Sequence, residues 1–337
     1  MNPNAIEDAL AQGAHPGQTY LFANRPICCA FPLPALAGIE PKPGTRPSIR
    51  VDAARVVARS RKPRQWRHQW HDGRRISLAL ALQPDGLLLR FPRLCDFVIS
   101  ADASRIGIES LKPLDADTLE HLLVDQVLPR CLAQRDALML HAGAVEVDGR
   151  TLLFVGDTGA GKSTLAALLH REGHALLSDD CVEIDIVGND ATARGTYPSL
   201  RLYEDSASRI LPTFPPGRRA AHYSDKSRLA LPRTVGSTVG SRISAVYFLE
   251  PRSGAGAGVA LAPKARADTC IGLMKNCFRL DPPDPSRAKE LMHRLSAVAT
   301  RVRGYSLTYP HDFHMASEVV AMVLRQCRAL EMKEHRL

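Results

Sequence analysis

Between residues 138 and 186 the apolar pattern changes period several times. Residues 138–147 and 151–155 are short apolar runs of strand type, separated by Asp148-Gly149. This predicts a β-hairpin on a tight Asp-Gly turn, with His141 on its first strand. Residues 164–170 (Thr164-Leu165-Ala166-Ala167-Leu168-Leu169-His170) are good helix formers, and Gly173 supplies a stop. Residues 174–178 then read as a short strand, and residues 181–186 alternate as the next one.

Upstream, the runs at 20–22, 48–51, 76–82, 87–91 and 97–100 are short and punctuated by turn residues, notably Pro84-Asp85-Gly86. They predict a β-rich N-terminal domain over 19–114, with 1–18 as a loosely held leader. Helical spacing over 115–135 predicts a helix that opens a second domain, 115–337, whose core spans 138–186. Downstream, 188–198 and 212–224 read as loops, 201–203 and 243–249 as strands, and 253–258 as a Gly-rich turn. Residues 286–301 and 314–330 read as helices.

Composition narrows the classes. The chain has 337 residues, 45% hydrophobic and 23% charged, enough to bury a core. It carries no apolar run of the ~20 residues that span a bilayer and no basic-then-apolar leader, so a cytoplasmic protein without a membrane partner is expected. Eight cysteines without a C-x-x-C pair predict reduced buried thiols rather than a zinc site. The net charge of +9 is concentrated in 59–75, where Trp66 and Trp70 lie among arginines. An Arg-rich surface segment is the favoured reading over a nucleic-acid patch.

The candidate chemistry sits between the hairpin and the helix. Gly156-Asp157-Thr158-Gly159-Ala160-Gly161-Lys162-Ser163, followed by Thr164, is a complete P-loop in the required strand–loop–helix order. Its backbone N–H groups would cradle phosphates at a helix N-terminus, Lys162 would reach the β/γ-phosphates, and Ser163 would offer its hydroxyl to Mg²⁺. Asp179-Asp180 follows seventeen residues after Lys162. Two consecutive acids can divide the work of phosphoryl transfer between metal binding and handling the attacking hydroxyl.

His141, the P-loop and 173–180 together resemble the core of the HPr kinase/phosphorylase superfamily, which is itself similar to ATP-dependent phosphoenolpyruvate carboxykinase. The resemblance implies an α/β fold, a P-loop kinase core preceded by a β-hairpin, with a small β-rich N-terminal domain. It implies ATP and Mg²⁺, Asp179 as general base, Ser163 and Asp180 at the metal, and His141 near the phosphates. The family's Glu-Ile-Arg-Gly-Leu-Gly stretch is matched only at Arg194-Gly195, within 192–197. This departure puts HPr itself, and the phosphorylase reaction, in doubt as properties of this chain.

The stretches 31–36, 96–100, 140–145, 197–202 and 225–229 are similar to HPr-kinase-like proteins of lasso peptide clusters. That branch implies a kinase for a precursor peptide's C-terminal serine, with Arg201, Lys226 and Arg228 as contacts to phosphates or a carboxylate. An HPr serine kinase/phosphorylase, a small-metabolite hydroxyl kinase and a non-catalytic nucleotide-dependent regulator stay open as alternatives, as does assembly into a homo-oligomer.

Overall fold

A computed structural model of the protein describes residues 17–40, 46–197, 199–230, 240–252, 258–310 and 312–334. They group into two compact units. The first runs to Ala137 and adds Arg279–Pro285; the second takes Leu138–Phe278 and the residues from Ser286 onward. The leader 1–16, Pro198 and most of the Gly-rich turn (253–257) lie outside the described residues.

The first unit is built on nine strands: β1 (Gln18–Phe22), β2 (Arg25–Cys29), β3 (Ala37–Ile39), β4 (Ile49–Val56), β5 (His68–Asp72), β6 (Arg75–Gln83), β7 (Gly86–Phe91), β8 (Cys95–Ser100) and β9 (Arg105–Ser110). They form one sheet in the order β3-β1-β2-β4-β9-β8-β7-β6-β5. The strands predicted at 20–22, 48–51, 76–82, 87–91 and 97–100 are present as β1, β4, β6, β7 and β8. The sequence pattern missed β2, β3, β5 and β9, which are short or interleaved with charge.

The predicted helix at 115–135 is one helical stretch in three parts: α1 (Ala116–His121), a π-helical turn (Leu122–Val127) and α2 (Leu128–Gln134). The Asp115 carboxylate caps it by accepting from Thr118 N at 2.9 Å. It groups with the first unit, not with the second domain as expected.

Two arginines and both tryptophans of the Arg-rich segment have partners within this unit. Arg61 pairs with Glu109 at 2.7 Å and Arg67 with Asp281 at 2.8 Å. Arg90 pairs with Asp96 at 2.6 Å and lies over Trp66, while Arg130 lies over Trp70. Seven of the eight cysteines are buried.

The second unit carries β10 (Leu138–Leu140), β11 (Gly143–Val147), β12 (Arg150–Val155), β13 (Ala175–Ser178), β14 (Val182–Val187), β15 (Asp190–Gly195), β16 (Ser199–Tyr203), β17 (Arg218–Arg219), β18 (Lys226–Ala230), β19 (Ser241–Arg252), β20 (Ala260–Lys264) and β21 (Arg303–Pro310). Its helices are α3 (Lys162–Arg171), α4 (Glu204–Ile210), α5 (Arg266–Lys275), α6 (Pro285–Ala299) and α7 (Ala316–Glu334).

The main sheet runs β10-β14-β15-β19-β12-β11-β13, with β21 beside β19 and β20 beyond it. β12 lies parallel to β19 and antiparallel to β11. The hairpin is therefore present, and Asp148 (φ 50°) and Gly149 (φ 76°) both adopt the positive φ that its tight turn demands. The predicted single strand 138–147 is instead two. β10 pairs with β14, β11 pairs with β12, and His141 falls in the break between them.

Alternation along β12 explains the layers. Leu152 and Phe154 join a core with Leu165, Leu169 and Val323 from α3 and α7, whereas Leu153 and Val155 join one with Leu273 and Leu295 from α5 and α6. The sheet is thus apolar on both faces and covered on both by helices.

Residues 188–198 were expected to be a loop. The structure has β15 there, alternating buried Ala191, Ala193 and Gly195 with more exposed neighbours. Residues that small carry little hydrophobic signal, so the alternation was hidden.

Candidate active site

The P-loop joins the end of β12 to the start of α3. Gly161 caps α3 in the left-handed region (φ 101°), and a Cβ there would meet the Tyr309 hydroxyl at 2.8 Å. Only glycine serves both demands. The Tyr309 hydroxyl, from the end of β21, donates to the Ala160 carbonyl and holds the loop against the strand. No sequence motif marked Tyr309, since it lies in contact through the fold alone.

Lys162 is buried, with Nζ donating to the carbonyls of Gly156 (2.8 Å) and Asp157 (3.2 Å). Burial lowers its pKa; the nearby carboxylates of Asp180 and Asp179 raise it again, and Lys226 adds to the lowering. Gly143 packs directly behind Lys162 and Asp179, so the start of β11 sets the spacing between loop and acids.

Asp179 and Asp180 follow β13, which pairs with β11 beside the loop strand. Both are buried. Asp179 Oδ2 accepts from Arg201 N at 2.8 Å, while Oδ1 accepts no hydrogen bond among the described residues. Burial pushes the Asp179 carboxyl above the usual carboxylate range. Arg201 pulls it down, Asp180 pushes it further up, and the Ser163 side chain and the Arg201 backbone N–H pull it down. Asp180 is ion-paired with Arg201 at 2.7 Å.

His141 meets the acids from the break after β10. Its Nδ1 lies 2.9 Å from the Asp180 carbonyl oxygen and 3.4 Å from the Asp180 carboxylate. A carbonyl only accepts, so that contact requires Nδ1–H and leaves Nε2 as the acceptor in the neutral ring. Burial lowers the His141 pKa, against the pull of Asp180.

The sequence-predicted residues Lys162, Ser163, Asp179, Asp180, His141 and Arg201 are thus in one place. Lys226 is near enough to act on Lys162. Arg228, in register with Arg201 across β16 and β18, donates to Tyr197 Oη and Ser199 Oγ at 3.0 and 3.1 Å. Arg194 of the reduced family stretch pairs with Glu183 at 3.1 Å across β14 and β15.

The Mg²⁺ expectation fits the donors present. Ser163, Asp180 and Asp179 supply hard oxygen atoms, and the unsatisfied buried Oδ1 of Asp179 is a position where a cation or hydroxyl donor would repair a deficit.

Comparison with known proteins follows the same direction. The chain is 45% identical over 64 residues to an HPr kinase/phosphorylase of Treponema pallidum (strain Nichols), covering 19% of this chain and 20% of the relative. The HPr kinase/phosphorylase of Lachnoclostridium phytofermentans is 31% identical over 104 residues, covering 30% and 33%. The sequence similarity is to HPr kinase/phosphorylase. These matches support an HPr-kinase-like assignment, and each spans about a fifth to a third of the relative's length. The solved Hpr(Ser) kinase/phosphatase of Coxiella burnetii aligns over 57% of this chain and 98% of its own, at 11% identity and a TM-score of 0.32. No protein-family profile matches the chain.

Proposed function

We propose that the protein is an ATP- and Mg²⁺-dependent kinase that phosphorylates a serine hydroxyl on a peptide or small protein. The observation that carries this reading is Asp179: a buried carboxylate beside a P-loop, its pKa raised, with one oxygen lacking a donor among the described residues. A catalytic carboxylate of raised pKa is a better proton acceptor than a solvated one.

In the proposed reaction the acceptor oxygen forms a bond to the γ-phosphorus, the bond from that phosphorus to the β,γ-bridging oxygen breaks, and ADP leaves. The hydroxyl proton passes to Asp179 late, as a loose transition state requires. Lys162 exchanges its contacts with the Gly156 and Asp157 carbonyls for phosphate oxygens. His141 and Arg201 hold Asp180 in place. Mg²⁺, when bound by Ser163 and Asp180, would neutralise charge on the phosphates.

Two acceptors come into question. The names of the sequence relatives favour HPr. The C-terminal serine of a lasso-type precursor peptide is the second acceptor, motivated by the sequence stretches similar to that branch and by the reduced family stretch, of which only Arg194-Gly195 remains.

The test is transfer from ATP–Mg²⁺ to HPr and to serine-ended precursor peptides, read by intact mass. Asp179→Asn is expected to lower transfer by about 10²–10⁴-fold while leaving nucleotide affinity intact. Lys162→Ala is expected to lower it by roughly 10²–10³-fold. Normal turnover by Asp179→Asn would remove the base assignment.

A further inference from the structure

The loop between β12 and α3 commits its carbonyls to defined donors. The Asp157 carbonyl accepts from Ala160 N at 3.1 Å, and the Gly161 carbonyl accepts from Leu165 N at 2.8 Å in the first turn of α3. Lys162 Nζ donates to the carbonyls of Gly156 and Asp157. The Ala160 carbonyl accepts from the Tyr309 hydroxyl. Among these donors, only Tyr309 comes from outside the loop and its helix.

The loop is seated on the ends of β19 and β21. At Gly156 an added Cβ would meet the Leu249 carbonyl at 3.0 Å, so this end of the loop lies against β19. At Gly161 an added Cβ would meet the Tyr309 hydroxyl at 2.8 Å, so the other end lies against β21. These strands run parallel, with Leu249 opposite Leu307 and Pro251 opposite Tyr309. Tyr309 therefore stands on the same side of β21 as the fully buried Leu307, and its ring packs against the core that holds that leucine.

The contact bears on the part of the loop that would meet an anion. A trans peptide is planar, and its C=O and N–H point in opposite directions. Drawing the Ala160 carbonyl toward Tyr309 therefore turns the Gly161 N–H away from it. Gly161 is the N-cap of α3, and the amides that begin a helix lack intrahelical acceptors and suit phosphate. Ligand binding also treats the two side-chain tethers differently. The proposed reaction takes Lys162 from the Gly156 and Asp157 carbonyls to the phosphates, whereas nothing draws the phenol away from Ala160. Burial pushes the Tyr309 phenol up to about 12, so it remains a donor at neutral pH.

We infer that Tyr309 is a positioning residue: its hydroxyl fixes the Ala160–Gly161 peptide so that the loop presents its N–H groups to phosphate before and after ligand arrives. This rests on the nucleotide-binding part of the kinase reading and adds a residue, outside the motif, on which phosphate affinity depends. A loop already held in its binding shape loses less freedom when the ligand is bound, so removing the tether weakens binding.

The test compares Tyr309→Phe, which removes the hydroxyl and keeps the ring, with Thr308→Val. Thr308 carries the adjacent hydroxyl of β21, which donates to the Ala260 carbonyl of β20 at 3.4 Å. Two readouts are taken on the full protein: deuterium uptake over 156–163 without nucleotide, and calorimetric titration with ADP–Mg²⁺. The titration is made below the melting transition of each variant, where a loss of stability alone does not move Kd. Tyr309→Phe should take up deuterium faster in the loop and bind ADP–Mg²⁺ about three- to tenfold more weakly. Thr308→Val should match the wild type in both.

Unchanged ADP–Mg²⁺ affinity in Tyr309→Phe overturns the inference. Weaker binding with unchanged loop exchange also overturns it, because the hydroxyl would then be touching the nucleotide itself. An equal loss in Thr308→Val does so too, by assigning the effect to β21 as a strand. Each of these outcomes leaves the kinase reading standing. A wild-type protein that binds no ADP–Mg²⁺ removes the kinase reading, and the inference with it.

Discussion

Asp179 takes its character from its surroundings, because an aspartate in water titrates near 3.8 and this one is buried. Its folded-state pKa is raised, so between the unfolded and folded values the native protein holds more protons than the unfolded chain. Stability from this group is therefore present below about pH 3.8 and is lost as pH rises through the folded value. Asp179→Asn removes that titration. The melting temperature of the variant minus that of the wild type is expected to grow as pH rises from 4 to 8, in thermal unfolding across that range. A flat difference would mean that Asp179 is not held in the protonation balance described. The motif named Asp179, Asp180, Lys162 and Ser163 from sequence because the P-loop spacing has a fixed physical job. It could not name Tyr309, which reaches Ala160 across 149 positions of chain.

At the level of elements, legibility followed side-chain size. The hairpin β11–β12, the P-loop helix α3 and the central strand β19 were readable because each pairs a strong apolar run with a clear stop. β15 was hidden by alanine and glycine. α5 was missed because its buried side is only Thr269, Cys270 and Leu273. At Gly272 of α5, an added Cβ would meet the Phe248 ring at 2.3 Å, so tertiary packing dictates a residue that helix propensity disfavours. β21 shows what such packing is worth. It lies parallel to β19 and buries Leu307 completely in the core beneath α7. Leu307→Ala is expected to cost about 2–5 kcal/mol, measured by denaturant unfolding with an unchanged slope. The exposed Val187→Thr should change stability by less than about 0.5 kcal/mol.

The whole molecule holds two large sheets in two compact units, and the proposed nucleotide site belongs to the second alone. Two units with separate cores are expected to melt in distinguishable steps rather than as one two-state transition. ADP–Mg²⁺ at 100 times its Kd should stabilise the step belonging to the second unit by about 2.7 kcal/mol, read by calorimetry with and without nucleotide. A shift in neither step would contradict nucleotide binding. Among the described residues no helix is long and apolar enough to cross a membrane. The sequence alone determined the local chemistry: a glycine-rich loop between strand and helix, and two acids at a short, helix-plus-turn distance. These are properties of contiguous residues, and backbone geometry ties them to spacing. Only the tertiary structure decided which oxygen of Asp179 lacks a donor, that Arg201 holds both acids, and that Tyr309 meets the loop. Those facts depend on burial and on strand register, which arise when segments far apart in the chain pair and exclude water.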